Sequence, residues 1–284
     1  MPTIEVDGIS TNYEIFGSGP PLLMLSPGGF DGTLGQWKTL GVYSRILPMD
    51  HLPQNYSCIV FDRRESGSSG GRIERITWDK YADQAIGLMD HLGLESAHTM
   101  GGCMGCSPQI AMATKYPNRV KSMVLYWPTG GPLWRISGQK RFTDHLSYVE
   151  GEGLGGVVNL AIQKGSFGKD SRTGPWGSVL ATNPSFATEF KSMNLDHYKS
   201  LITLIGRTLI DRDTVPGAEP EALLNLQIPA LIIPGQDENH ATSAARYLEE
   251  VLPNAEYWDT PISNQTAETV WKIIPHFLNQ IDAK

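Results

Sequence analysis

Short apolar segments alternate with longer amphipathic segments along most of this chain. The apolar segments are four to six residues long, and several lack the polar alternation of a half-exposed strand, which is typical of strands buried on both faces. Helical periodicity follows several of them, and a repeated strand and helix predict a parallel sheet flanked by helices. The predicted strands are 11–16, 22–26, 58–61, 97–101, 122–126, 230–234 and 256–260, and the predicted helices are 78–92, 104–116, 241–252 and 267–280.

One long region, residues 130–226, interrupts this alternation. It contains no clear strand, only helical patches such as 192–210 between glycine-rich turns. We therefore predict a core formed by residues 1–129 and 227–284, with residues 130–226 inserted as a helical lid, or cap. The alternative is a peripheral helical layer that has no role in access to a site.

Composition and charge limit the classes of partner. The 284 residues are 40% hydrophobic and 19% charged, as in globular proteins, and the net charge of −7 comes without a basic stripe for nucleic acid. The apolar runs are far shorter than the ~20 residues of a membrane helix, and the N-terminus lacks the features of a signal peptide. We expect a cytoplasmic protein whose partner is a small molecule rather than nucleic acid or a membrane. Composition does not decide between a monomer and a homodimer.

The cysteine count favours a reducing compartment. Cys58, Cys103 and Cys106 are an odd number in a long chain, which does not suit a disulfide framework. No second cysteine pair offers a zinc site, so we expect neither a metal nor a cofactor.

A glycine-framed cysteine marks the strongest candidate for chemistry. Residues 98–107 read HTMGGCMGCS, and within them GGCMG places Cys103 at the centre of a nucleophile elbow, between a predicted strand and a predicted helix. Such a turn holds its nucleophile in a strained conformation and needs small neighbours, which Gly101 and Gly105 supply. The first turn of a helix also lowers the pKa of a thiol. We predict Cys103 as the nucleophile.

Two other interpretations of the cysteines remain open. Cys103 and Cys106 form a C-x-x-C pair, and residues three apart on a helix are neighbours, so a redox dithiol is one alternative. Buried cysteines that act as small apolar side chains are another; this interpretation fits Cys58 well and Cys103 poorly.

Four fragments in order resemble the α/β-hydrolase family, and the resemblance covers most of the chain except residues 130–226. It implies an α/β fold with a mostly parallel twisted sheet and flanking helices, into which the predicted lid is inserted, and it implies hydrolase activity. Glu65 stands where the family's turn usually has glycine, and is a further candidate near the site. The fragments are LLMLSPGGF at 22–30, FDRRESGSS at 61–69, KYPNRVKSMVL at 115–125 and IPALIIPGQD at 228–237.

The resemblance also implies an oxyanion hole and a catalytic acid. One donor would be the backbone N–H of Met104, and because Pro27 has no N–H, the second would come from Gly29 or Phe30. Asp237 ends a predicted strand where the family places its acid; helix capping is its alternative role.

The position of the base is where this chain departs from the family. The family's histidine follows the last strand, but residues 261–265 read PISNQ. His240, three residues after Asp237, is the predicted base. A histidine of the predicted lid, His145 or His197, is an alternative, and so is a site that works without histidine.

The predicted function is hydrolysis, through an acyl thioester on Cys103, of a small, mostly apolar and uncharged ester, lactone, amide or activated carbonyl compound. Trp127, Trp134 and Trp176 are predicted to line the substrate pocket, with ordinary packing as the alternative. Acyl transfer or cofactor-free lyase chemistry on the same scaffold is a second interpretation. The missing histidine raises a third, a degenerate homologue that binds a ligand without turnover.

Overall fold

The computed structural model describes residues 2–283, and its centre is one mixed sheet. Along the sheet the strands follow the order β1-β2-β4-β3-β5-β6-β7-β8, with ranges given at the end of this paragraph. The two pairings nearest the β1 edge are antiparallel and the other five are parallel. The strands are β1 (Thr3–Val6), β2 (Ile9–Phe16), β3 (Pro21–Leu25), β4 (Ser57–Phe61), β5 (Ala97–Gly102), β6 (Val120–Tyr126), β7 (Ala230–Ile233) and β8 (Ala255–Tyr257).

Helices cover both faces of this sheet, so its central strands are enclosed. Every residue of β5 and β7 is buried, which explains why β7 reads as a continuous apolar run, ALII. The α-helices are α1 (Gln36–Thr39), α2 (Tyr43–Ile46), α3 (Pro48–His51), α4 (Trp78–His91), α5 (Cys106–Lys115), α6 (Pro132–Lys164), α7 (Gly177–Thr182), α8 (Pro184–Lys191), α9 (Leu195–Leu209), α10 (Pro220–Leu224), α11 (Thr242–Val251) and α12 (Ala267–Asp282).

Alternate residues of one central strand belong to different apolar clusters. Leu23 and Leu25 of β3 pack into the cluster that includes α4 and α5, whereas Leu22 and Met24 pack into the cluster that includes α2 and α12. Side chains alternate between the faces of a strand, so this division is the expected result of helices on both sides. The α/β fold with a mostly parallel sheet is confirmed.

Most predicted elements are present, with shifted ends. Each predicted strand overlaps a strand of the sheet, and the predicted helix cap is formed, since the Thr77 hydroxyl accepts a hydrogen bond from the Lys80 N–H at 3.2 Å. The pattern missed β1, an edge strand with no buried residue. The last strand ends at Tyr257, earlier than predicted.

Residues 130–226 contain helices α6 to α10 and, within the described range, no strand. Helix α6 is interrupted at Gly153, whose φ of 64° and ψ of −178° are not helical. None of the helices that the structure describes is long and apolar enough to cross a membrane.

Candidate active site

Cys103 lies in the sharp turn between β5 and α5. Its φ of +53° is in the left-handed region, which non-glycine residues rarely adopt and which is common where backbone strain serves a site. A Cβ atom on Gly105 would lie 2.1 Å from the Leu25 carbonyl oxygen, and one on Gly101 would lie 2.4 Å from Oε1 of Gln109. The two glycines are therefore needed for close packing of the turn, which places Cys103 at the carboxyl edge of the sheet.

Asp237 and His240 belong to one tight loop that follows β7 at the same edge. Oδ1 of Asp237 lies 2.6 Å from Nδ1 of His240, and it also accepts the backbone N–H groups of Asn239 at 2.9 Å and His240 at 3.0 Å. The hydrogen bond from His240 is the main reason that the pKa of Asp237 lies below its usual value. Asp237 is therefore an ionised carboxylate that orients the imidazole.

Cys103 and His240 shift each other's pKa in opposite directions. Burial raises the pKa of the Cys103 thiol, but the neighbouring His240 and two backbone N–H groups lower it below its usual value. Burial lowers the pKa of His240, whereas Cys103 and Asp237 raise it to about 10. Each side chain therefore stabilises the charged form of the other, a thiolate beside an imidazolium.

The second imidazole nitrogen of His240 faces no competing group. Nε2 is buried and has no hydrogen-bond partner of standard geometry in residues 2–283. Its electrostatic partner is the Cys103 thiol. Catalytic hydrogen bonds are often long or poorly aligned until substrate binds, so this arrangement suits proton transfer between the two side chains.

The backbone N–H groups that act on the Cys103 sulfur belong to Met104 and Gly28. Met104 was predicted from the elbow pattern, but Gly28 was not. The sequence could have indicated Gly28, because it carries the first backbone N–H after Pro27. Gly29 and Phe30 line the same cavity and begin a single 3-10 turn, where N–H groups have no acceptor within the helix.

A cavity of about 530 Å³ opens at Cys103. This volume is in the range of small-molecule sites, and the wall combines aromatic and aliphatic side chains with polar and charged ones, among them Asp31, Gln36 and Asn239. Helix α6 contributes one wall through Trp134 and Arg141. Other side chains of the lining are Leu40, Val42, Tyr43, Trp127, Thr129 and Lys169.

Two of the three predicted tryptophans lie at this cavity. The ring of Trp127 is 5.5 Å from that of His240, and Trp134, in α6, also lines the cavity. Trp176 corrects the prediction, because it is fully buried outside the cavity wall and packs against Phe190 and Tyr198. The sequence alone does not show whether an aromatic residue of the helical region lines the cavity or packs among the helices.

Gln265 occupies the loop in which the family has its histidine. The side chain is buried, and its Oε1 accepts hydrogen bonds from Nε1 of Trp127 at 2.7 Å and from the Tyr126 hydroxyl at 3.4 Å. Its Nε2 donates to the carbonyls of Pro234 at 2.9 Å and Thr260 at 3.2 Å. Gln265 therefore links its loop to the ends of β6 and β7 by hydrogen bonds. The imidazole beside Cys103 is that of His240, in the loop after β7.

The alternative ionisable side chains lie away from the cavity. His145 is fully buried with its Nε2 2.6 Å from the Tyr198 hydroxyl, and burial lowers its pKa to about 4. His197 is exposed in the first turn of α9. Glu65 is buried against Arg64 at 2.9 Å. None of these three lines the cavity wall.

The remaining cysteines have raised pKa values. Burial raises the pKa of Cys58 to about 12, and burial also raises the pKa of Cys106, whose thiol donates to the Gly101 carbonyl at 3.2 Å. All three cysteines are free thiols. Within the described part of the chain, no cluster of three or more His, Cys, Asp or Glu side chains is arranged for a metal ion.

Comparison with known sequences gives partial matches. Residues 21–150 match the family model described as alpha/beta hydrolase fold. The chain is 30% identical over 126 residues to the dihydrolipoyllysine-residue acetyltransferase component of the acetoin cleaving system of Cupriavidus necator, covering 44% of this chain and 31% of that protein. It is 30% identical over 128 residues to the 2-hydroxymuconate semialdehyde hydrolase of Pseudomonas sp. strain CF600, covering 43% and 41%. The chain thus spans less than half the length of these curated relatives.

Comparison with solved structures extends over nearly the whole chain. A meta-cleavage product hydrolase from Pseudomonas fluorescens IP01 matches with a TM-score of 0.60 at 21% identity, covering 99% of this chain and 98% of that one. The enol-lactonase from Burkholderia xenovorans LB400 matches with a TM-score of 0.62 at 18% identity, covering 98% and 100%. At these identities the likeness shows a shared fold.

Proposed function

We propose that this chain, which has the α/β-hydrolase fold, is a hydrolase with Cys103 as nucleophile, His240 as proton carrier and Asp237 as the acid that orients His240. The observation that supports this most is the 2.6 Å contact between Asp237 and His240 on one side of the imidazole, with the Cys103 thiol as electrostatic partner on the other. This order of groups is that of a nucleophile, a base and an orienting acid.

The chemistry follows from the charge states of the pair. The Cys103 thiolate attacks the substrate carbonyl, forming a carbon–sulfur bond and moving the carbonyl electrons onto oxygen. The His240 imidazolium donates its proton to the leaving group as the tetrahedral intermediate collapses to a thioester. Neutral His240 then takes a proton from water, which attacks the thioester and releases Cys103 and the acid product.

The backbone N–H groups of Met104 and Gly28 are the proposed donors to the developing oxyanion, together with the predicted loop residues Gly29 and Phe30. Met104 and Gly28 already act on the Cys103 sulfur. Loss of one such donor typically costs ~10²–10³ in kcat, so the loop geometry matters as much as the nucleophile.

The proposed substrate is a small ester, lactone, amide or activated carbonyl compound with a largely apolar body. The cavity of about 530 Å³ and its two tryptophans support this size and polarity. Among the relatives, one is named as a semialdehyde hydrolase and one structural neighbour as an enol-lactonase. Both names denote small carbonyl substrates.

Residues 130–226 are the proposed lid. The first turns of α6 form one wall of the cavity, since Trp134, Gly138 and Arg141 line it. Movement of this segment would therefore change access to Cys103.

Acyl transfer is the second candidate function. One partial relative is named as an acetyltransferase component, and a thioester on Cys103 can pass its acyl group to an acceptor other than water. Product analysis in the presence of an added alcohol or amine distinguishes transfer from hydrolysis.

The experiment that tests the nucleophile is trapping of the acyl protein. After brief exposure to p-nitrophenyl acetate and acid quench, we expect one acetyl group on the peptide that contains Cys103. The Cys103→Ala variant removes one sulfur atom from a partly exposed residue of a turn and should fold normally, without acetylation or turnover. An acetyl group on another residue, or turnover by the alanine variant, contradicts the proposal.

A further inference from the structure

Arg63 lies two residues after the end of β4 and contacts the loop of residues 28–32. Only 4% of the residue is exposed, and Nε and Nη1 have no hydrogen-bond partner within the described residues. Its neighbour Arg64 is equally buried but pairs with Glu65 and Glu74. A buried guanidinium that forms no direct ion pair is costly, so its position calls for a physical explanation.

The contacts of Arg63 are with both ends of the loop. Nη2 donates a hydrogen bond to the Gly29 carbonyl oxygen. The backbone N–H of Arg63 donates to the Gly32 carbonyl at 2.9 Å, and the guanidinium packs so closely on Gly32 that an added Cβ there would be 3.0 Å from Cζ. The Tyr81 ring lies on the other side, 4.7 Å from Cζ. The guanidinium therefore packs between the loop of residues 28–32 and the ring of Tyr81.

This contact determines which way one peptide faces. In a trans peptide the carbonyl and the following N–H point in opposite directions. Gly29 and Phe30 line the cavity but Arg63 does not, so a Gly29 carbonyl held toward Arg63 leaves the Phe30 N–H directed away from Arg63. Gly28 and Gly29 have φ values of 107° and 60°, and glycine has no side chain to resist a peptide flip.

A flipped peptide would place a carbonyl oxygen where negative charge develops during attack on a substrate carbonyl. We propose that Arg63 is a positioning residue that locks the Gly29–Phe30 peptide, so that the Phe30 N–H joins those of Gly28 and Met104 in the oxyanion hole. The inference rests on the proposed function, because an oxyanion forms only if Cys103 attacks a carbonyl group.

The test compares a reaction that forms an oxyanion with one that does not. Phenylacetaldehyde adds to Cys103 by a carbon–sulfur bond, and its carbonyl oxygen becomes an oxyanion, or a hydroxyl after taking the His240 proton. Iodoacetamide alkylates the same sulfur with loss of iodide and forms no oxyanion. Both reactions are measured alongside kcat and KM for p-nitrophenyl acetate in the parent, Arg63→Met, Arg63→Lys and, as a matched control, Arg64→Lys.

We expect Arg63→Met to lower kcat and weaken aldehyde inhibition in parallel, by about 10- to 100-fold, because one oxyanion donor is misplaced. KM and the alkylation rate should stay within about twofold of the parent, as for an interaction made only in the transition state. Arg63→Lys keeps a cation and one donor and should recover part of the loss. Arg64→Lys should change neither kcat nor the strength of aldehyde inhibition.

Two results overturn the inference. If Arg63→Met leaves aldehyde inhibition unchanged, Arg63 does not position the Gly29–Phe30 peptide. If aldehyde binding and alkylation fall equally, the substitution acts on the thiolate in general. If Arg63→Met does not fold, Arg63→Lys carries the test through the same two readouts. A parent protein that forms no aldehyde adduct at Cys103 overturns the proposed function as well, whereas an adduct insensitive to Arg63 overturns only the inference.

Discussion

Asp237 and His240 lie three residues apart in one loop, with Oδ1 of the carboxylate 2.6 Å from Nδ1 of the imidazole. Gly130 fixes this loop through two backbone hydrogen bonds. Its N–H donates to the Asn239 carbonyl at 3.0 Å, and its carbonyl accepts from the Ala241 N–H at 3.2 Å. A short loop that turns back on itself can thus present both groups to Cys103, without a histidine from the loop after the last strand.

Thiol reactivity should separate the three cysteines. At neutral pH we expect iodoacetamide to modify Cys103 stoichiometrically, while Cys58 and Cys106 stay unmodified in the folded protein because burial raises their pKa values. Peptide mapping by mass spectrometry locates the label, and Cys103→Ala is the control that should remain unlabelled. Modification of Cys58 before Cys103 would contradict the assignment.

The pH dependence of Cys103 should change when His240 is replaced. In the parent the ion pair is lost below the lowered pKa of Cys103, as the sulfur gains a proton, and above about pH 10, as His240 loses one. In His240→Gln the effect of burial on the thiol is no longer opposed by an imidazolium, so the pKa of Cys103 should rise.

The measurement is the rate of iodoacetamide alkylation against pH, whose midpoint should move to higher pH in His240→Gln. Turnover should fall by about 10²- to 10⁴-fold, the usual contribution of general acid–base catalysis. His276→Gln, at an exposed histidine, is the matched control. An unmoved midpoint would mean that His240 is not paired with the thiolate.

Gln265 should matter for stability. Gln265→Leu leaves the Trp127 N–H and the Pro234 carbonyl without their partner in a buried setting, which should cost about 1–3 kcal/mol. Urea unfolding measures the difference, and Gln163→Leu at an exposed position of α6 serves as the control. Equal stability of parent and Gln265→Leu would show that these hydrogen bonds contribute nothing.

The two tryptophans of the helical region should behave differently. Trp134→Ala removes part of the cavity wall and should raise KM about 10-fold or more, since an aromatic side chain contributes several kcal/mol of apolar contact. Trp176→Ala should instead lower the free energy of unfolding by about 3–5 kcal/mol and leave KM unchanged. Steady-state kinetics and urea unfolding of both variants check this, and a KM effect at Trp176 would place it at the site after all.

The helical region should open before the sheet. The break at Gly153 and the glycine-rich turns predict faster amide hydrogen exchange in residues 130–226 than in strands β4 and β6, around Val60 and Val124. Exchange monitored by mass spectrometry provides the comparison. Equal protection throughout would favour a static helical layer over a lid.

Local patterns in the chain were enough to predict the alternation of strands and helices and the elbow around Cys103. A buried strand can be recognised from its own run of apolar residues. The elbow can be recognised from the glycines that flank Cys103, because a nucleophile held in a sharp turn needs small neighbours. The lowered pKa of the thiol was also predictable in direction, because the Met104 N–H in the turn that begins the next helix contributes to it.

Only the tertiary structure decided which distant groups meet Cys103. The N–H of Gly28 and the imidazole of His240 reach it because β3 and β6 flank β5, and β7 follows β6, so that their loops emerge at one edge. Sequence spacing could not show that Trp176 packs away from the cavity, that Gln265 braces the loop without histidine, or that Arg63 holds the Gly29 carbonyl. These contacts join residues from tens to over a hundred positions apart, and they depend on strand order and helix packing, which no local pattern of hydrophobic and polar residues encodes.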